Sequence, residues 1–149
     1  MQIWIDADSC PKVIKEILFR AAERLGIFII LVSNQPQRTS ASQFVKSIVV
    51  PSGFNVADEH IIEQVHAGDL VITADIPLAA AVIEKEAFAL NPRGKFYTKE
   101  NIGEQLAVRN FMDEMRVSGI TISGPKSFSQ RDRKSFANQL DKFLAKQNK

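Results

Sequence analysis

Apolar positions along the chain switch between two periods, short continuous runs and stripes spaced three and four apart. Ile3 to Ile5 is an apolar run that reads as a strand, and it ends in Asp6-Ala-Asp8. Pro11 then stands at a first helical position ahead of the stripe Val13, Ile14, Ile17, Leu18, Ala21, Ala22 and Leu25, which Gly26 closes. Ile27 to Val32 is a continuous apolar run, mostly β-branched and aromatic, as in a strand buried on both faces. Asn34 to Ser42 is polar, carries Pro36 and reads as a loop; Phe44 to Val50 is a third strand, stopped by Pro51 and Gly53.

A helix is predicted from about Ala57 to His66, with Ala57, Ile61, Ile62 and Val65 as its apolar stripe and Gly68 at its end. Leu70 to Thr73 gives a fourth strand, Pro77 opens a helix through Val82 and Ile83, and Ala87 to Leu90 gives a fifth strand before the turn Asn91-Pro-Arg-Gly94. Two more helices follow, one carrying Leu106, Val108, Phe111, Met112 and Met115, the other Phe136, Leu140, Phe143 and Leu144. Strands alternating with helices predict an α/β fold, a central, mostly parallel sheet of about five strands with helices on both faces in three α/β/α layers, joined by right-handed crossovers. No repeat or linker interrupts the pattern, so residues 1–149 are expected to form a single domain.

In such folds ligands bind outside the carboxyl ends of the strands, where strand order reverses. The first and fourth strands each deliver an acid there, Asp6 and Asp75, and if the two strands are neighbours then Asp6, Asp8 and Asp75 converge. Asp58 lies in the first turn of its helix, where a carboxylate is also favoured as a cap, and Asp8 ahead of Pro11 has a turn role open to it. Asp6 and Asp75 are harder to explain structurally, because an acid ending a buried strand is desolvated unless something positive sits beside it. Three or four carboxylates with no histidine cluster and no thiolate pair describe a hard-cation site for Mg²⁺ or Mn²⁺. The chemistry that fits is phosphodiester hydrolysis.

Composition changes this picture only at its margins. With 45% apolar and 24% charged residues the chain is globular rather than disordered. A lone cysteine, Cys10, excludes an internal disulfide framework and suits a reducing cytoplasm; no segment is long and apolar enough for a bilayer, and no leader is visible. A cytoplasmic protein without a membrane partner is therefore expected. The net charge of +2 is uneven: from Lys126 onward seven basic residues face only Asp132 and Asp141, a net +5, which leaves about −3 for the preceding residues. That basic tail is either a solvated helix face or a nucleic-acid footprint.

Five ordered motifs carry a resemblance. Asp6-Ala-Asp-Ser-Cys-Pro11, Gly53-Phe-Asn-Val-Ala-Asp58, Gly68-Asp-Leu-Val-Ile-Thr-Ala-Asp-Ile-Pro-Leu-Ala79, Asn91-Pro-Arg-Gly94 and Ser129-Gln-Arg-Asp-Arg133 together resemble the bacterial YaiI/YqxD family, whose members resemble PIN-like nuclease domains. The PIN resemblance implies a metal-dependent nuclease acting by a metal-activated water, on RNA in preference to DNA. It implies Asp6, Asp58 and Asp75 as ligands, with Asp8, from the family's own Asp-x-Asp pattern, binding a second metal or orienting a water. Asn55 departs from it, standing where relatives carry an acid. Glu16 on the first helix is the stand-in for a further helix acid used by many PIN nucleases.

Around this cluster, Ser9 and Thr73 have hydroxyls placed to bond a water at the site, and Arg38 and Arg93 have guanidinium groups suited to phosphate oxygens. Arg131 and Arg133 oppose the positive end of the last helix, a conflict that a bound anion would resolve. Cys10 has no histidine base at any readable spacing, and His60 and His66, six apart, do not share a helix face. Periodicity places Trp4 and most of the ten phenylalanines in the core, which argues against a stacking platform for single strands. Two other functions stay open: a non-catalytic nucleic-acid-binding module of the same fold, and a phosphatase or nucleotide hydrolase for a small substrate. The lack of Gly-x-x-x-x-Gly-Lys-Ser/Thr argues against a P-loop NTPase.

Overall fold

The computed structural model describes residues 1–39, 42–53, 55–119 and 127–147. Phe54, the loop positions Ser40 and Ala41, and the tail lysines Lys126 and Lys149 lie outside the described residues.

Six strands form one sheet: β1 (Gln2–Asp6), β2 (Phe28–Ser33), β3 (Val45–Val49), β4 (Leu70–Ile72), β5 (Phe88–Leu90) and β6 (Phe96–Tyr97). Their order is β3-β2-β1-β4-β5-β6. β1 to β5 are parallel throughout and β6 returns antiparallel to β5. The sequence predicts about five strands; the sixth is a two-residue return after the Asn91–Gly94 turn, too short to show a period. The helices are α1 (Lys12–Leu25), α2 (Val56–Gln64), α3 (Ile76–Glu84), α4 (Ile102–Val117) and α5 (Gln130–Gln147).

Side-chain alternation along the strands divides the core into two layers. Ile3 and Ile5 of β1, Ile29 and Leu31 of β2, and Leu70 and Ile72 of β4 pack against Ile14 and Leu18 of α1 and Phe136 and Leu140 of α5. Trp4, Ile30, Val32 and Val71 point the other way, onto Ile61 of α2 and Leu78 and Val82 of α3. Helices therefore cover both faces, giving the three-layer α/β/α arrangement. α4 departs from its apolar pattern: none of its residues is fully buried, and Val108 and Phe111 are 49% and 56% exposed. Its helical period is present but the sheet is already covered by α2 and α3.

Of the aromatic residues assigned to the core, Trp4 and Phe136 are buried, whereas Phe28 and Phe88 are exposed. Both open their strands at the amino edge of the sheet, where they meet Phe44 and Phe143 edge to face. The same edge holds a buried acid that its sequence context does not announce. Asp69, 4% exposed, accepts hydrogen bonds from the Gln2 N–H (3.0 Å), the Trp4 indole N–H (3.1 Å) and the His66 N–H (3.0 Å). It ties the starts of β1 and β4 to the end of the α2 segment.

At the opposite edge, Gly94 is required by shape as well as by backbone. Its φ is +91°, and a Cβ there would come within 2.6 Å of the Phe136 N and 2.5 Å of the Ser135 Oγ. The Asn91–Gly94 turn is thus pressed directly onto α5.

Candidate functional site

β1 lies between β2 and β4, so the point where strand order reverses falls at its carboxyl end. Asp6 ends β1, Thr73 follows β4, and Asp75 is the N-cap of α3. The expected adjacency of the first and fourth strands is present, with Ile5 opposite Ile72.

Thr73 links the two acids. Its buried hydroxyl donates to Asp6 Oδ2 (3.0 Å) and accepts from the Asp75 N–H (3.0 Å), so a single side chain orients both. Ser9 donates to the same Asp6 oxygen at 3.2 Å. Asp75 Oδ1 accepts the Leu78 N–H at 3.0 Å, with Pro77 in the first turn of the helix. That bond caps α3 with one oxygen and leaves the other to the cavity.

Asp6, Asp8, Asp58 and Asp75 line one open cavity of about 390 Å³, together with Ser9, Asn34 and Asn55. Asp8, exposed in a single 3₁₀ turn (Ala7–Ser9), accepts the Asn34 N–H at 2.7 Å and so holds the chain leaving β2. The Oδ1 of Asn34 is buried and finds no hydrogen-bond partner among the described residues. Nothing in the sequence singles out Asn34, because the polar loop after β2 meets the acids only in space.

Asp58 stands in the first turn of α2, and α2 has no side-chain cap bond at its N-cap. Asn55 is that N-cap and adopts φ 61°, ψ 11°, a left-handed conformation that asparagine tolerates better than most residues. Burial first, and then repulsion from Asp75 and Asp6 together with a hydrogen bond to Asp75, push the Asp58 carboxyl up to about 7. Asp6 is also raised, chiefly by burial, while the bonds from Thr73 and Ser9 oppose the rise. Tyr97 is raised by burial and secondarily by Asp75, and its hydroxyl accepts from Asn91 Nδ2 at 2.8 Å. The β5–β6 turn therefore forms part of the surroundings of Asp75.

Among the described residues, no three Asp, Glu, His or Cys side chains stand close enough as they lie to hold one ion. Asp8 is turned toward Asn34 and Asp75 toward Leu78. The chemistry of the donors nonetheless suits a small hard dication: the carboxylates offer only oxygen, and burial together with repulsion from Asp75 and Asp6 pushes the Asp58 carboxyl up to about 7, so that it holds a proton more tightly than an ordinary carboxylate. A dication binding there would take the place of that proton.

The other residues picked out from the sequence are distributed around this cavity. Arg38 and Glu16 line a neighbouring cleft, and Glu16 does not reach the acids' cavity. Arg93 is bonded to Asp132 at 2.8 Å and lies over the Phe128 ring, while Asp132 also accepts the Ser129 N–H. Arg131 is exposed near the start of α5, and Arg133 faces Arg20, Arg24 and Asp141 in a separate cleft. Cys10 is buried and its thiol is pushed up to about 12 by that burial, which keeps it protonated. No helix among the described residues is long and apolar enough to cross a membrane.

No solved structure matches the chain significantly. Among curated proteins, the chain is 61% identical to a "UPF0178 protein" of Hahella chejuensis (strain KCTC 2396), over 100% of this chain and 99% of the relative. It is 59% identical to a "UPF0178 protein" of Janthinobacterium sp. (strain Marseille), over 99% and 97% of the two chains. A third of the same name, from Yersinia pestis (strain Pestoides F), is 60% identical over 97% of this chain and 95% of its own. The family model described as "Uncharacterized BCR, YaiI/YqxD family" matches residues 4–146, and the chain belongs to that family.

Proposed function

We propose that this chain is a PIN-like, divalent-metal-dependent nuclease that hydrolyses phosphodiester bonds, RNA in preference to DNA, in the cytoplasm. The observation that carries the reading is the convergence of Asp6, Asp58 and Asp75 on one cavity at the carboxyl edge of the sheet, where burial first, and then repulsion from the other two acids, push Asp58 up to about 7. Asp6, Asp58 and Asp75 would hold Mg²⁺ or Mn²⁺, with Asp8 assisting. When bound, the dication supplies charge neutralisation and Lewis-acid polarisation at phosphorus.

The chain's own groups prepare this site. Thr73 and Ser9 hold Asp6 in one orientation, and the first turn of α3 holds Asp75. Asp58 retains a proton that a cation must displace. A single-stranded oligoribonucleotide should be cut by the purified protein only when Mg²⁺ or Mn²⁺ is present. Intact substrate after prolonged incubation with either ion would overturn the reading.

The sign of the pH effect follows from the raised Asp58 carboxyl. Because its folded value lies above the ordinary carboxylate range, its contribution to the stability of the metal-free fold is present at acid pH and is lost as pH rises through about 7. The same proton competes with the cation, so Mn²⁺ affinity should rise between pH 5.5 and pH 8, by roughly thirtyfold for one proton displaced from a carboxyl that titrates at about 7. Calorimetric titration in buffers of different ionisation enthalpy should detect proton release at the lower pH, and Asp58→Asn should abolish that release. Binding with no proton release in the unmodified protein would remove Asp58 from the ligand set.

A further inference from the structure

A cavity with four carboxyl groups and no cation among the described residues that line it repels the phosphates of a nucleic-acid strand, so a strand held there needs attraction from somewhere else. The basic tail is the obvious source in the sequence, but the fold places much of it on the wrong edge. Phe143 of α5 packs on Phe88, the first residue of β5, at a ring-centroid distance of 5.0 Å. The carboxyl half of α5, carrying Lys142 and Lys146, therefore lies toward the amino edge of the sheet, away from the acids.

A cleft of about 600 Å³ supplies the charge instead. Lys12, Lys15, Glu16, Phe19, Gln37 and Arg38 line it. Its walls continue those of the acidic cavity along the chain, since Asp8 and Ser9 run on into Lys12 and Asn34 runs on into Gln37 and Arg38. Two hydrogen bonds set the loop after β2 against α1: Asn34 N–H to Asp8 Oδ2 at 2.7 Å, and Lys15 Nζ to Gln37 Oε1 at 2.6 Å. No ion pair among the described residues involves Lys12, Lys15 or Arg38, whereas Arg24, Arg93 and Lys99 are each paired with an acid. The first turn of α1 also contains no acid, so Lys12 and Lys15 add to the positive end of that helix, with Glu16 the one carboxylate among the described residues that line the cleft.

We propose that this cleft is a phosphate-binding subsite, in which Lys12, Lys15 and Arg38 hold the backbone of a single nucleic-acid strand beside the bond that enters the acidic cavity. The proposal rests on the reading of that cavity as a phosphodiester site. It makes the substrate a polyanion long enough to span both openings, rather than a mononucleotide or a small phosphate ester. It also assigns strand binding to the α1 and β2 side of the molecule rather than to the end of α5.

The test is equilibrium binding of a fluorescein-labelled single-stranded oligoribonucleotide to the full chain in EDTA, read by anisotropy over a range of salt concentrations. Lys15→Glu/Arg38→Glu should weaken binding at least about tenfold and make the slope of log affinity against log salt shallower by about 1.4, some 0.7 for each lost cation. Lys142→Glu/Lys146→Glu, with the same change in net charge, should leave both nearly unchanged. The milder Lys12→Ala/Arg38→Ala pair should move affinity and slope in the direction of the first pair without disturbing the Lys15–Gln37 bond. Equal effects of the cleft and tail variants, an unchanged slope in both cleft variants, or no salt-sensitive binding by the unmodified chain would overturn the assignment. Binding in EDTA is read without cleavage, so failure to cut RNA in the separate assay with Mg²⁺ or Mn²⁺ counts against the nuclease reading alone, and a tail-centred binding result counts against the cleft alone.

Discussion

Asp75→Asn should lower divalent-dependent RNA cleavage by about a thousandfold while leaving the fold intact, a loss of roughly 4 kcal/mol in transition-state stabilisation. The substitution separates two jobs done by one side chain. As a cap, Asp75 needs only an oxygen to accept the Leu78 N–H, and asparagine supplies one; its own N–H still reaches the Thr73 hydroxyl. As a ligand it needs negative charge, which asparagine lacks. Asp75→Ala should lose the same activity and in addition about 1 kcal/mol of stability through the missing cap. Gel-resolved cleavage at saturating Mn²⁺, paired with thermal melts followed by circular dichroism, checks both halves. A cleavage rate unchanged in Asp75→Asn would sink the catalytic assignment, whatever the melt showed.

A large effect on stability should come from a single polar residue at the other end of the sheet, Asp69. Its carboxylate satisfies three donors at once, those of Gln2, Trp4 and His66, and it is almost wholly buried. Replacing it by alanine leaves these N–H groups without their acceptor. An unsatisfied buried donor costs on the order of 1 to 3 kcal/mol, and water can reach the two partly buried bonds, so the net expectation for Asp69→Ala is about 3 kcal/mol. Asp69→Asn should fall between, since an amide retains an acceptor oxygen but turns an N–H toward a donor. Trp4 is the chain's one tryptophan and one of the three partners, so its emission reports urea unfolding and the local change together. A midpoint for Asp69→Ala equal to that of the unmodified protein would show that the latch contributes nothing.

These two acids illustrate how differently neighbouring parts of the chain can be read. Asp75 is legible because it follows an apolar strand and precedes Ile-Pro, a pattern that joins a strand end to a helix start. Asp69 precedes the same strand and gives no signal: its partners Gln2 and Trp4 are more than sixty residues away along the chain and converge only through the β1–β4 pairing. Asn34 was hidden for the same reason, and Lys12 and Lys15 look like ordinary polar positions on an amphipathic helix until the loop after β2 is laid against them. α4 shows the converse. Its helical period is sound, yet Val108 and Phe111 are not buried, because periodicity gives an element's shape and not the surface that it meets.

By itself the sequence determined the alternation of strands and helices, the parallel sense of the sheet and the acids that end β1 and open α3, because each depends on local spacing and on caps that act within a turn. The tertiary structure alone decided which acids share a cavity, that Asp8 is engaged by Asn34, that Arg93 is drawn to Asp132, and that the cations lying beside the acids come from α1 and the loop after β2. Those relations depend on strand order and on which helices cover which face. Proximity in space sets the strength of charge interactions and the cost of burial, and residues distant in the chain acquire it only when the sheet is assembled.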